Sequence, residues 1–138
     1  MPDSNHKTVL MADDDAEDCM LATEAFAQSG ADAAFSCVED GVELMKYLSE
    51  RSRSSPGGLP NLILLDRNMP RKDGGKALIE IKTDPALRHI PVVILTTSER
   101  EKDIAFSMET GAESFITKPA TFDEWVEMMR SLAERWLR

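Results

Sequence analysis

Asn61-Leu62-Ile63-Leu64-Leu65-Asp66-Arg67-Asn68-Met69-Pro70 decides how the rest of this 138-residue chain is read. Four consecutive apolar residues with no polar alternation suit a strand covered on both faces, the kind found in parallel sheets. The run ends on a carboxylate, and Asn68, Pro70, Asp73 and Gly74-Gly75 follow, so the strand delivers Asp66 to a turn at its carboxyl end. Open α/β sheets keep their sites along that rim. Taken alone, the stretch fits a plain turn acid as well as a reactive one, because Asp is a frequent turn former.

Working outward, four other apolar runs repeat the design. Thr8 to Ala12 runs into Asp13-Asp14-Asp15, Ala34 to Val38 precedes Asp40, Pro91 to Leu95 leads to Thr96, and Ser114 to Thr117 leads to Lys118-Pro119. Helical patterns separate them. The first starts at Ala16 with Asp15 as its cap, presents Cys19, Ala22, Ala25 and Phe26 on one face, and stops at Gly30. Asp40 with Glu43 opens a second helix, whose apolar face is Val42, Met45 and Leu48 with Leu44 beside it. Lys76 to Thr83 is a third, closed by Asp84-Pro85. Ser98 with Glu101 opens a fourth, which buries Ile104, Ala105 and Met108 and ends at Gly111. Thr121 with Glu124 opens the last, along which Phe122, Trp125, Met129, Leu132 and Trp136 recur at helical spacing. Ser49 to Pro60, rich in Ser, Arg, Pro and Gly, reads as a loop or frayed helix end, either a tolerated insertion or a contact surface.

Five β-α units in strict alternation imply a doubly wound α/β fold with a five-stranded parallel sheet, since parallel strands need crossovers and right-handed crossovers place helices on both faces. The length suits one domain, residues 1–138 with a core from about residue 7. Lys and Arg number 16 against 25 Asp and Glu, a net charge of −9 that argues against binding nucleic acid or an anionic membrane. No stretch approaches the ~20 apolar residues of a membrane span, and Met1 to Lys7 lacks a signal-peptide core, so a cytoplasmic protein is expected. Cys19 and Cys37 then read as separate reduced core thiols.

In a parallel sheet every strand's carboxyl end lies on one rim, which brings Asp13, Asp14, Asp66, Thr96 and Lys118 together. Clustered carboxylates repel unless a hard cation such as Mg²⁺ sits among them, with Asp14, Asp66 and a backbone carbonyl of the turn after Asp66 as ligands. The remaining Asp66 oxygen is then a nucleophile for phosphorus, with the Lys118 ammonium and the Thr96 hydroxyl to receive the phosphoryl oxygens.

These motifs, from about Lys7 to the final helix, resemble a receiver domain of two-component signalling: Asp13-Asp14, Leu64-Leu65-Asp66 with Met69-Pro70 and Asp73-Gly74, Thr96, and Lys118-Pro119. The resemblance implies a flavodoxin-like sheet of strand order 2-1-3-4-5 and a phosphoacceptor, Asp66, that takes its phosphoryl group from a sensor histidine kinase. It implies direct Mg²⁺ ligation by Asp14, water-mediated ligation by Asp13 and a carbonyl ligand from Asn68. It also implies phosphoryl contact by Lys118, a cis bond to Pro119, Thr96 as switch hydroxyl and Phe115 as switch aromatic. Phe115 carries no hydroxyl where Tyr is common, so its ring moves without a hydrogen bond. More narrowly, the Asp66 strand, the long preceding loop and Ile90 to Ser98 resemble the single-domain regulators of phytochrome-type kinases. That subgroup implies a homodimer through the last helix, where Trp136 and Leu137 either cover the core or form the interface. With no output domain, signalling is expected by protein contact or through a downstream histidine phosphotransfer protein, and enzymatic turnover of other substrates is not expected. A Mg²⁺-dependent aspartyl phosphatase or phosphotransferase would carry Asp-x-Asp where Asn68 stands, and a flavodoxin-like binding module would need a phosphate loop where Asp13 to Asp15 stand.

Overall fold

The computed structural model describes residues 7–54, 58–67, 69, 73–97 and 101–137. Among them the chain alternates strictly: β1 (Lys7–Ala12), α1 (Ala16–Gln28), β2 (Ala33–Val38), α2 (Gly41–Ser54), β3 (Leu62–Leu65), α3 (Gly74–Thr83), β4 (Val92–Thr96), α4 (Glu101–Thr110), β5 (Ser114–Thr117) and α5 (Phe122–Trp136). All pairings are parallel and the order is β2-β1-β3-β4-β5, as expected.

Side chains alternate across the sheet and build two cores. Leu10, Ala12, Ile63, Leu65, Val92 and Ile94 face Leu44 and Leu48 of α2 and Ala77, Leu78 and Ile81 of α3. Val9, Met11, Leu62, Leu64, Val93 and Leu95 face Ala22, Ala25 and Phe26 of α1 and Trp125, Met129 and Leu132 of α5. β3 and β4 are buried at every position, which is why they read as unbroken apolar runs.

Local signals held at most helix ends. Asp15 accepts from the Glu17 and Asp18 amides, Asp40 from Glu43, and Thr121 and Glu124 complete a reciprocal capping box. Gly30 and Gly111 take positive φ, 81° and 117°, where α1 and α4 stop. Ser98 lies outside the described residues.

Four expectations fail. α2 continues to Ser54, so the loop is shorter than the Ser49 to Pro60 composition suggested. Leu44 and Leu48 are its buried pair and Val42 is exposed, because the sheet lies about one residue around the helix from the face assumed. In α4, Ser107 is fully buried while Ala105 and Met108 are exposed: this helix presses on the sheet along one narrow edge where a small side chain fits. Cys19 and Cys37 are joined as a disulfide between α1 and β2, with Cα atoms 6.3 Å apart. The first turn of α1 packs over the end of its neighbouring strand, and that proximity cannot be read from a spacing of 18.

Gly74 shows how tightly α3 is seated under the Asp66 strand. A β-carbon there would lie 2.1 Å from the Asp66 carbonyl oxygen and 2.8 Å from Arg67 Cα, both backbone atoms that cannot yield cheaply. At Gly75 the obstacle is the movable Arg67 guanidinium, 2.8 Å away. Gly74→Ala is expected to lower unfolding stability by about 2 kcal/mol or more, and by more than Gly75→Ala, in urea denaturation. Equal effects at the two positions would contradict this packing.

Candidate functional site

Three backbone hydrogen bonds extend the ladder one step beyond the strands and build the rim. The amide of Asp13 donates to Val38 O at 3.0 Å, that of Asp66 to Ala12 O at 3.0 Å, and that of Lys118 to Thr96 O at 2.9 Å. Asp13, Asp66 and Lys118 are therefore fixed at the backbone before their side chains are considered. Met69, 8% exposed in the α2/α3 core, anchors the turn after Asp66, and Asp73 caps α3 by accepting from the Lys76 amide.

The side chains then converge. Asp13, Asp14 and Asp66 each place a carboxylate oxygen within 4.8 Å of the others; Asp13 and Asp66 are buried and Asp14 is exposed. Asp13 Oδ1 accepts from the Asp15 amide at 2.9 Å. Asp13 Oδ2 is buried and lies 2.8 Å from Lys118 Nζ. Lys118 Nζ donates to Asp66 Oδ2 at 3.4 Å and to Asp18 Oδ2 at 2.8 Å. Thr96 is buried at the end of β4, in register with Thr117.

Burial dominates the electrostatics of Asp13. Loss of solvent, reinforced by the charge of Asp66 and opposed by Lys118 and the Asp15 amide, pushes its carboxyl up to about 6. Burial pulls the Lys118 ammonium down, but the contacts with Asp13 and Asp18 and the charge of Asp66 outweigh it and hold the group above its ordinary value. Asp13, Asp14, Asp18 and Asp66 carry more formal negative charge than the Lys118 ammonium offsets, an excess that favours a cation. Three carboxylates with oxygens this close are a set of hard ligands, so Asp13, Asp14 and Asp66 fit a divalent ion.

The structure thus brings together Asp13, Asp14, Asp66 and Lys118 and places Thr96 at the same rim. Asn68, expected to offer its carbonyl, lies outside the described residues. Phe115 is half-buried and packs against the α2/α3 core from β5, opposite Ile94. The Lys118–Pro119 bond is trans, against the cis bond expected; an X-Pro bond has only a small trans preference either way, and the ammonium reaches its partners from this arrangement.

Two residues escaped sequence reasoning. Asp18 stands beside Glu17 in the first turn of α1, where acids favour the helix dipole, and nothing in that position singles it out. Arg67, next to the central carboxylate, lies 3.6 Å from Asp73 and 3.8 Å from Asp103 of α4 and stacks over the Phe106 ring at 5.5 Å. An Arg following a buried acid at the end of an apolar strand was the available signal, but its partners are 6, 36 and 39 positions away in sequence.

Comparison with known proteins agrees with this geometry. The response regulator receiver domain family matches residues 9–130. Response regulator Rcp1 of Synechocystis sp. is 36% identical over 131 residues, covering 95% of this chain and 89% of that protein. The crystal structure of Mn²⁺-bound Rcp1 superposes with a TM-score of 0.83 at 36% identity, covering 96% of this chain and 95% of the other. The phosphorylated cyanobacterial phytochrome response regulator RcpA superposes with a TM-score of 0.85 at 40% identity, covering 96% and 94%. With the sheet order, the acidic cluster and the lysine at the same rim, this chain belongs to the response regulator receiver domain family.

Proposed function

We propose that the chain is a single receiver domain, residues 1–138, that works as a stand-alone phosphorylation switch with Asp66 as phosphoacceptor. The observation that carries this reading is the placement of Lys118 Nζ against Asp66 and Asp13 at the strand rim where the acidic triad meets. An Asp66 oxygen attacks the phosphorus of a phosphohistidine; the P–N bond of the donor breaks as the P–O bond of the aspartyl phosphate forms. Lys118 neutralises charge on the phosphoryl oxygens, Thr96 offers its hydroxyl to one of them, and Phe115 follows Thr96 as the aromatic half of the switch. Asp13, Asp14, Asp66 and the carbonyl of Asn68 would hold Mg²⁺. Bound there, the ion supplies further charge neutralisation to the transferring group.

The phosphodonor is a sensor histidine kinase, and likeness to regulators of phytochrome signalling favours a kinase of that type. Output passes by protein contact or to a histidine phosphotransfer protein, from a cytoplasmic protein that pairs through α5. In support, no helix among the described residues is long and apolar enough to cross a membrane. Trp136 and Leu137 remain half-exposed while packing against the core. Turnover of other phosphoesters is not part of this reading: Asn68 stands where an aspartyl phosphatase carries its second acid.

Acetyl phosphate with Mg²⁺ is expected to add one acid-stable, base-labile phosphate, and chelation of the metal or Asp66→Asn to abolish it. Equal labelling of Asp66→Asn would remove Asp66 from the reaction.

Asp13 also gives the metal-free protein a pH signature. Its folded pKa, about 6, lies above the ordinary 3.8, so the folded state holds the proton more tightly than the unfolded state. The stability this group contributes is full below the unfolded value and is lost as pH rises through about 6. Asp13→Asn is expected to remove a fall of roughly 2 kcal/mol between pH 4 and 7, measured by urea denaturation in chelator. A wild-type profile that matches the variant's would contradict the burial argument.

A further inference from the structure

Resting on the reading of Asp66 as phosphoacceptor, we propose that Asp18 is a positioning residue: it locates the Lys118 ammonium beside Asp66 and so acts on phosphoryl transfer without touching the phosphoryl group. The Lys118 side chain is 9% exposed and has four rotatable bonds, so something must select its conformation. Asp13 and Asp18 each approach its ammonium at 2.8 Å, and Asp66 accepts a long bond at 3.4 Å. Of the two close carboxylates Asp13 belongs to the acidic triad, whereas Asp18, whose Oδ2 accepts from the ammonium at 2.8 Å across a sequence separation of 100, does not. An ammonium has three N–H groups. With one pinned by Asp18, the others are turned toward Asp13 and Asp66, where phosphoryl oxygens arrive.

Other duties do not account for this carboxylate. Asp15 caps α1, and Glu17 in the same turn already favours the helix dipole. The metal triad is formed by Asp13, Asp14 and Asp66, without Asp18. The charge of Asp18 opposes an incoming phosphoryl group, so through space alone it slows the reaction. Only by holding Lys118 does it speed it, and the two roles predict opposite signs. Cys19, the next residue, lies against Cys37 of β2 with Cα atoms 6.3 Å apart, so this turn of α1 is seated over the rim.

The test is the initial rate of phosphorylation by saturating acetyl phosphate and Mg²⁺ in wild type, Asp18→Asn, Lys118→Ala and the double variant, followed long enough to quantify the slow proteins. Asp18→Asn is expected to be about tenfold slower, with the half-saturating acetyl phosphate concentration nearly unchanged. In the Lys118→Ala background the same substitution is expected to change the rate by less than about twofold. A rate equal to or above wild type, or an equal fall in both backgrounds, overturns the assignment. A fall seen with a histidine kinase donor but not with acetyl phosphate also overturns it, and makes Asp18 a kinase contact. If wild type takes up no phosphate, or Asp66→Asn takes up as much, the phosphoacceptor reading itself fails; an unaltered Asp18→Asn rate in a competent wild type contradicts the role of Asp18 alone.

Discussion

One lysine ammonium faces three carboxylates at the carboxyl edge of the sheet, and the rest of the structure can be understood as what is needed to hold that arrangement. Like charges this close repel, and in a partly buried setting the repulsion is screened less than in water. Side-chain chemistry alone would disperse the cluster. What prevents dispersal is backbone: the amides of Asp13, Asp66 and Lys118 are each tied to the carbonyl that ends a neighbouring strand. Those strands are in turn clamped between two apolar cores. The fold's stability is thus applied at the point where its polar groups are least comfortable.

The same tension ties chemistry to the surroundings. Burial raises the proton affinity of Asp13, while Lys118 is stabilised as an ammonium by Asp13, Asp18 and Asp66. A group that adds negative charge to Asp66 must redistribute these contacts. Arg67 lies at the next position, touching Asp73 beneath α3 and Asp103 and Phe106 on α4. The central carboxylate therefore stands one peptide bond from contacts that reach the helix beside Thr96 and β5.

Much of this was legible in the sequence because it depends on local or periodic signals. Unbroken apolar runs mark β3 and β4 as buried on both sides, alternation with helices fixes a parallel sheet, and a parallel sheet puts all carboxyl ends on one rim. Asp66 and Lys118 could be paired on that reasoning alone. What escaped depends on angles and distances between elements. Val42 and Leu44 differ by two positions on one helix, and which one is buried depends on its rotation over the sheet. Ser107 is buried because α4 approaches closely along one edge, and hydrophobicity gives no sign of it. Asp18 and Cys19 sit in a turn whose partners lie elsewhere, Lys118 just past β5 and Cys37 in β2, so their roles follow from where α1 is seated.

On the proposed function, chemistry at this rim is directed to a single side chain, Asp66. Acyl phosphates are reduced by borohydride to the alcohol, so a trapped aspartyl phosphate is recorded as homoserine in the peptide that carries it. Peptide mass mapping after treatment with phosphodonor, Mg²⁺ and borohydride should find homoserine at position 66, and none when phosphodonor is omitted. Homoserine at Asp13, Asp14 or Asp18 in place of 66, or at no position in a protein that has taken up phosphate, would contradict the account.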